Sequence, residues 1–243
     1  MSALRSLVSF SAIFAGTALV AGDGHSHAAT TQKSWAGTET RESQAAATPE
    51  EAIQLLKDGN ARFASGLSSN RDYLAQAKAT AKGQYPLAII LGCVDSRVPL
   101  ETVFDLGIGD AFVARVAGNV TREDVIGSME FATAAAGAKA ILVVGHTACG
   151  AVKGAIDRVE MGNLTSLLAQ IDPAVEEVST APGELRTSGN SAFVDEVTAE
   201  NVRNVMDHIL KESEVIAGLV AEGRVILAGG MYDLDSGKVT FFD

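Results

Sequence analysis

The sequence predicts an α/β fold: a mostly parallel β-sheet flanked by helices, with an antiparallel hairpin at one edge. Three observations carry that prediction. The runs "LAIILG" (87–92) and "AKAILVVGH" (138–146) are almost continuously apolar, the pattern of strands buried on both faces. Stretches with helical periodicity alternate with the strands, as in a parallel sheet with helical crossovers. The chain then closes with two apolar runs joined by "DLDSG", a hairpin turn signal.

The elements follow in order. Thr48 reads as an N-cap, Pro49 takes the first helical position and Glu51 completes a capping box, so a helix starts there. Ile53, Leu56 and Phe63 mark its apolar face. An Ala-rich helix covers 73–81 and leads to the turn "KGQYP". After the strand at 87–92 comes a second, "DAFVARVAG" (110–118). "DVIGSMEFATAAAG" (124–137) reads as a helix whose small residues permit close packing, and 138–146 as the third strand. "ACGAVKGAIDRVEMG" (148–162) begins another helix, while 172–192, with Pro, Ser and Gly, reads as a loop or irregular insertion. Residues 192–213 form a long amphipathic helix with Val194, Val197, Val202, Val205, Ile209 and Leu210 on one broad face. A shorter helix over 214–223 precedes the strands "RVILAGGMY" (224–232) and "KVTFFD" (238–243).

The chain has 243 residues, 47% of them hydrophobic, which fits one sizeable domain with its own core, or at most two small ones. A formal net charge of −11 without any basic cluster repels phosphate backbones and argues against nucleic-acid binding. At the start, one Arg and an apolar run from Leu7 to Val20 lead into small residues, which reads as a signal peptide over 1–28. The run of 14 residues is short for a membrane span, which needs about 20. A periplasmic or secreted chain, with no membrane attachment after cleavage, is expected. Residues 29–47, rich in Ala, Thr and Ser, read as a linker or N-terminal arm, and 48–243 as a single domain. His25 and His27 read as part of a solvated tail, with a metal-capturing His-x-His pair as the alternative.

Two motifs carry chemistry. "CVDSRV" (93–98) leaves the first strand and "GHTACGAV" (145–152) leaves the third, so Cys93, His146 and Cys149 gather at the carboxyl rim, where open α/β sheets place their sites. Two thiolates and an imidazole suit Zn2+, and a set one short of four matches an open, catalytic site. A Cys93–Cys149 disulfide is the default for an exported chain. It accounts for neither His146 nor the polar residues beside Cys93. Zinc acidifies water, and a carboxylate beside it can accept a hydrogen bond from the nucleophile and aim it. A guanidinium can pin that carboxylate through paired bonds. Asp95 and Arg97 fit those roles, and alternation along an extended segment would put Cys93, Asp95 and Arg97 on one side. A thiol nucleophile with His146 as base is a rival chemistry.

The two motifs, 53 residues apart from Cys93 to His146, together resemble those of the β-class carbonic anhydrases. "TPEEAIQLLKDGNARF", "FVARVAGNV" and "GSMEFA" are similar to bacterial members, so the resemblance runs over about 48–243. It implies the β-carbonic anhydrase fold and reversible hydration of CO2 to bicarbonate. It implies Cys93, His146 and Cys149 as Zn2+ ligands, Asp95 with Arg97 as the catalytic dyad, and a homo-oligomer, dimer or tetramer, with its pocket at the subunit interface. Gln84 matches a substrate-binding glutamine, Phe112 and Phe131 match apolar pocket walls, and the Gly150 N–H can face bicarbonate. Some members add a regulatory bicarbonate pocket built on a tryptophan three residues before the first zinc cysteine. Ile90 stands there in this chain, while Arg115 and Tyr232 match the rest. Hydrolases of CS2 or COS resemble the same family and are the enzymatic alternative; a non-catalytic zinc module is the other.

Overall fold

A computed structural model describes residues 37–242. Five strands, β1 (Ala88–Gly92), β2 (Ala111–Arg115), β3 (Ala140–His146), β4 (Ile226–Tyr232) and β5 (Val239–Phe241), form one sheet in the order β2-β1-β3-β4-β5. The pairs β1–β2, β1–β3 and β3–β4 are parallel, and β4–β5 is the antiparallel edge. The sheet type and the closing hairpin agree with the sequence expectation.

Among the described residues the α-helices are α1 (Arg41–Ala46), α2 (Pro49–Ala64), α3 (Tyr73–Thr80), α4 (Leu100–Val103), α5 (Glu123–Glu130), α6 (Gly150–Ile156), α7 (Gly162–Leu168), α8 (Asp172–Glu177), α9 (Ser191–Glu212) and α10 (Glu214–Ala221). The expected capping box of α2 is present: the Glu51 N–H donates to Thr48 Oγ1, and the Thr48 N–H donates to the Glu51 carboxylate.

Every residue of β1 and β3 is buried, because helices cover both faces of the sheet. Ala88, Ile90, Leu142 and Val144 face α2 and α4, packing with Leu56, Leu100 and Phe104. Ile89, Leu91, Ile141 and Val143 face the other way, against Met129 of α5, Ile209 of α9 and Ile216 of α10. The two-residue alternation of a strand thus sorts one apolar run into two cores. A third cluster lies under the carboxyl rim, where Cys93 and Cys149 pack with Val152, Ile171, Phe193, Val194 and Val197.

Three expectations change. The stretch read as a linker contains α1, capped by Thr40, and its Gln44 amide donates to the carbonyls of Pro86 (2.8 Å) and Ala136 (2.9 Å). Six residues are too few to show periodicity, and the anchor is a long-range bond. The stretch read as an irregular insertion opens with α8, where Pro173 lies in the first turn, a position that tolerates proline. The helix expected over 124–137 changes character at Phe131–Ala135, which adopts π-helical geometry. Residues 1–28, with the expected signal peptide, and the histidine pair lie outside the described residues.

Candidate active site

Cys93 follows the last residue of β1, and His146 ends β3. Because the two strands are neighbours, with Gly92 opposite Val144, their carboxyl ends deliver both side chains to one spot. Gly145, next to His146, lets α9 and β4 pack closely on this end of β3: a Cβ there would lie 2.8 Å from Thr198 Cγ2 and 2.9 Å from Met231 Sδ. The chain must then reverse within Thr147 and Ala148 to return Cys149, the N-cap of α6. Ala148 makes the reversal in the left-handed region (φ 56°), and its N–H donates to Asp195 Oδ1 of α9 at 3.1 Å. The Thr147 N–H donates to the Tyr232 carbonyl at 3.0 Å, and the Leu234 N–H to Thr147 Oγ1 at 3.0 Å.

The ligand atoms of Cys93, His146 and Cys149 lie within 4.8 Å of one another, and all three residues are buried. The two sulfurs are 4.0 Å apart, so the cysteines are free thiols. Zinc–sulfur bonds of about 2.3 Å at a tetrahedral angle would separate them by about 3.8 Å. The His146 Nδ1–H donates to the Thr147 carbonyl at 3.0 Å, which leaves Nε2 with its lone pair. Nε2 is buried and has no hydrogen-bond partner among the described residues. An orphaned acceptor beside two thiols is what a metal donor set requires, so the residues fit Zn2+. The sulfur of Cys93 accepts from the N–H groups of Gly118 (3.3 Å) and Asp95 (3.4 Å). Its pKa is pulled down to about 4, first by the hydrogen bond from Cys149, against the effect of burial, and then by His146 and these amides. Cys149 moves the opposite way, pushed up by sharing its proton with Cys93 and by burial. A metal cation held by Cys93, His146 and Cys149 would take the place of that shared proton.

The loop after Cys93 differs from the extended segment expected. A turn forms at Ser96–Arg97, closed by the Val98 N–H donating to the Asp95 carbonyl at 3.0 Å. The Asp95 side chain competes for the local amides and caps the Arg97 N–H at 2.9 Å, an Asx turn that ends the strand alternation. Asp95 still reaches the trio: Oδ2 lies 3.9 Å from His146 Nε2. The Arg97 side chain is half exposed and folds back on Asp95. That pairing holds the Asp95 carboxyl well below its usual range, with burial opposing it. Beneath the loop, Arg115 at the end of β2 donates from Nε to the Cys93 carbonyl (3.0 Å) and from Nη2 to the Asp95 carbonyl (2.5 Å).

Of the other expected site residues, Gly150 sits beside the trio, and Gln84, Phe112 and Phe131 lie elsewhere along the sheet. Gly150 lies next to Cys149 at the start of α6, facing open space: a Cβ there would meet nothing within 4 Å. Gln84 is exposed in the turn before β1, at the end of the strand opposite Cys93. Phe112 pairs in register with Ile89, four residues before Cys93, and its ring stacks edge-on with Phe131 at 5.9 Å. Phe131 is 56% exposed. Ile90, at the position of the regulatory-pocket tryptophan, is fully buried core, and Arg115 is engaged by the loop. Sequence reasoning missed Asp195 and Gly118 as supports of the site. The Asp195 carboxylate accepts from the Ala148 N–H 47 residues away, and the Gly118 N–H donates to the sulfur of Cys93 25 residues away; each bond has a backbone amide on one side, which leaves no motif of paired side chains.

Comparison with known proteins agrees with this geometry. The family described as "Carbonic anhydrase" matches residues 88–239. "Carbonic anhydrase 2" of Mycobacterium tuberculosis is 36% identical over 196 residues, covering 80% of this chain and 93% of the relative. Among solved structures, the β-carbonic anhydrase CafA of the fungal pathogen Aspergillus fumigatus is 26% identical with a TM-score of 0.60, covering 75% of this chain and 91% of that one. Two tetrameric β-carbonic anhydrases from the filamentous ascomycete Sordaria macrospora share the fold, with a TM-score of 0.59 at 24% identity over 68% of this chain and 84% of that chain. With a matching family over most of its sheet, a relative spanning four-fifths of its length and a metal-donor trio at the strand ends, this chain belongs to the β-carbonic anhydrase family.

Proposed function

We propose that this chain is a zinc-dependent lyase that interconverts CO2 and water with bicarbonate and a proton. The observation that carries the proposal is the Asp95 carboxylate, clamped by Arg97, lying 3.9 Å from the Nε2 of a group of three candidate metal donors. Cys93, His146 and Cys149 hold the metal in this reading, and zinc bound there acidifies water toward a pKa of about 7. Asp95 accepts a hydrogen bond from the attacking water and aims a lone pair at the carbon of CO2. Arg97 keeps the carboxylate ionised and prevents it from turning. The carbon–oxygen bond forms as one C=O electron pair moves to oxygen, and the water's proton leaves to solvent. The Gly150 N–H faces the bicarbonate product.

In one chain Gln84, Phe112 and Phe131 stand away from the trio, which supports a homo-oligomer in which a neighbouring subunit completes the substrate pocket. β2 is an edge strand and Phe131 beside it is exposed, as such an interface needs. The tetrameric relatives of Sordaria macrospora make a tetramer the natural form to test, against a dimer. We assign residues 1–28 as an export signal, 29–47 as an N-terminal arm and 48–243 as the catalytic domain, in the periplasm or outside the cell. Among the described residues no helix is long and apolar enough to cross a membrane. The CS2 or COS hydrolase alternative is not favoured, since the relatives are carbonic anhydrases.

Stopped-flow CO2 hydration by the zinc-loaded chain, run beside COS and CS2, tests the activity. Rapid CO2 hydration is expected. Full zinc occupancy with no hydration would leave a non-catalytic zinc module. Light scattering reads the assembly, and N-terminal sequencing of protein recovered from the periplasm reads the cleavage.

A further inference from the structure

We propose that Asp195 is a positioning residue for the metal centre. Its carboxylate holds the Ala148 amide and so fixes the left-handed turn that brings Cys149 back to Cys93 and His146. The inference rests on the reading that these three residues hold a metal.

Only Thr147 and Ala148 separate the end of β3 from the N-cap of α6. A non-glycine residue in the left-handed region costs about 1–2 kcal/mol, and such a conformation persists where neighbours over-determine it. The bonds around Ala148 divide the work. The Thr147 N–H and Oγ1 tie the β3 side to Tyr232 and Leu234. The Cys149 carbonyl accepts from the Lys153 N–H at 3.0 Å on the helix side. Between these two anchored halves, the Ala148 N–H has Asp195 Oδ1 as its partner, from an element 47 residues away. Asp195 itself is held: Val194 and Val197 on either side of it in α9 are fully buried, in the cluster that contains Cys149. Cys149 is fully buried as well, so its backbone decides where its sulfur lies. The bond therefore passes the position of α9 to a metal ligand. It needs an acceptor oxygen, not a negative charge, so Asn can replace Asp at this position.

The test uses the full-length zinc-loaded chain with Asp195→Ala, Asp195→Asn and the double variant Asp195→Ala/Ala148→Gly. Two readouts apart from activity are release of zinc to excess chelator and the thiolate-to-metal absorption of the cobalt-substituted protein. Outer-shell partners of ligands typically change metal affinity about 10–100-fold, so Asp195→Ala should release zinc at least about tenfold faster and show an altered cobalt band. Asp195→Asn should match the unsubstituted protein. The double variant should recover most of the retention, because glycine takes positive φ without steric cost. Zinc retention and a cobalt spectrum unchanged in Asp195→Ala would overturn the proposal, as would release from Asp195→Asn as fast as from Asp195→Ala. Should Asp195→Ala not fold, hydrogen exchange at the Ala148 amide of the unsubstituted protein decides: protection supports the bond, and exchange at the rate of a free loop overturns it. An unsubstituted chain that binds no zinc refutes the metal reading itself, a result separable from these.

Discussion

Arg97 grips the Asp95 carboxylate at both oxygens: its own N–H and Nε reach Oδ1 at 2.9 and 3.0 Å, and Nη2 reaches Oδ2 at 2.7 Å. Residues two apart form a closed clamp because the chain turns at Ser96–Arg97 instead of running on as a strand. The fork of the guanidinium matches the two carboxylate oxygens, so the clamp fixes both the charge and the direction of the side chain. Asp95 contacts the site through the edge that faces His146.

Asp95→Ala should therefore keep its zinc and lose turnover. The donor trio does not include Asp95, so metal content is expected to stay at one zinc per chain. Removing a positioned acid–base partner costs about 10²–10⁴-fold in rate, and a fall in kcat of that order is expected. Metal analysis beside stopped-flow rates checks both halves. Full activity with zinc bound would remove Asp95 from the mechanism.

Arg115→Ala should loosen the site from below. The guanidinium holds the backbone carbonyls of Cys93 and Asp95, the residues proposed to bind the metal and to aim the attacking water. Truncation leaves both carbonyls without that donor, and zinc release about tenfold faster, with a lower kcat, is expected. Arg115→Lys should not restore either property, since a single ammonium cannot span both oxygens. Restoration by lysine would mean that charge, not the two-carbonyl clamp, matters.

Asp110→Asn should change how stability depends on pH. Burial raises the Asp110 carboxyl from 3.8 to about 6, although its Oδ2 accepts from the Gly107 N–H and Arg71 lies nearby. The folded state therefore binds this proton more tightly than the unfolded state. Its stabilising contribution is full below about pH 3.8 and is lost as pH rises through about 6. Asparagine, which does not titrate, should flatten this part of the pH profile and stabilise the protein above it by on the order of 2 kcal/mol. Urea titrations at several pH values read the difference; parallel profiles for the two proteins would contradict the assignment.

Ala148→Gly alone should stabilise the protein or leave it unchanged. Relief of the left-handed penalty offsets the added chain entropy of glycine, with a net gain of up to about 1 kcal/mol. Ala148→Val, branched at Cβ and at the same φ of 56°, should destabilise it and release zinc faster. Thermal melts of the zinc-loaded variants measure the order. A valine variant as stable as the parent would show that the turn is not strained.

Much of this arrangement was legible in the order of residues. Apolar runs predicted β1 and β3 because strands covered on both faces have no polar positions. Thr48, Pro49 and Glu51 marked the start of α2 because caps act locally. Helices α1, α4 and α8 were not legible, since four to six residues hold too little periodicity to register. Cys93, His146 and Cys149 could be named as donors because parallel strands deliver their carboxyl ends to one rim, and few metals suit two thiolates with an imidazole. That step needs residue identity and strand order, both written along the chain.

Folding in three dimensions settled what depends on distance and direction. The Nδ1–H of His146 bonds to the Thr147 carbonyl, leaving Nε2 for the metal, and no sequence pattern encodes a tautomer. Arg97 meets Asp95 through a turn where simple alternation expected a strand, because a short polar side chain bonds its own backbone when the sheet no longer holds it. Asp195 reaches Ala148, and Gly118 reaches the sulfur of Cys93, through amides that every residue except proline possesses. Donor identity is a property of side chains and survives in a string of letters. The supports of this centre pair a backbone group with a distant partner, and those pairs exist only once α9 and the segment after β2 have packed against the sheet.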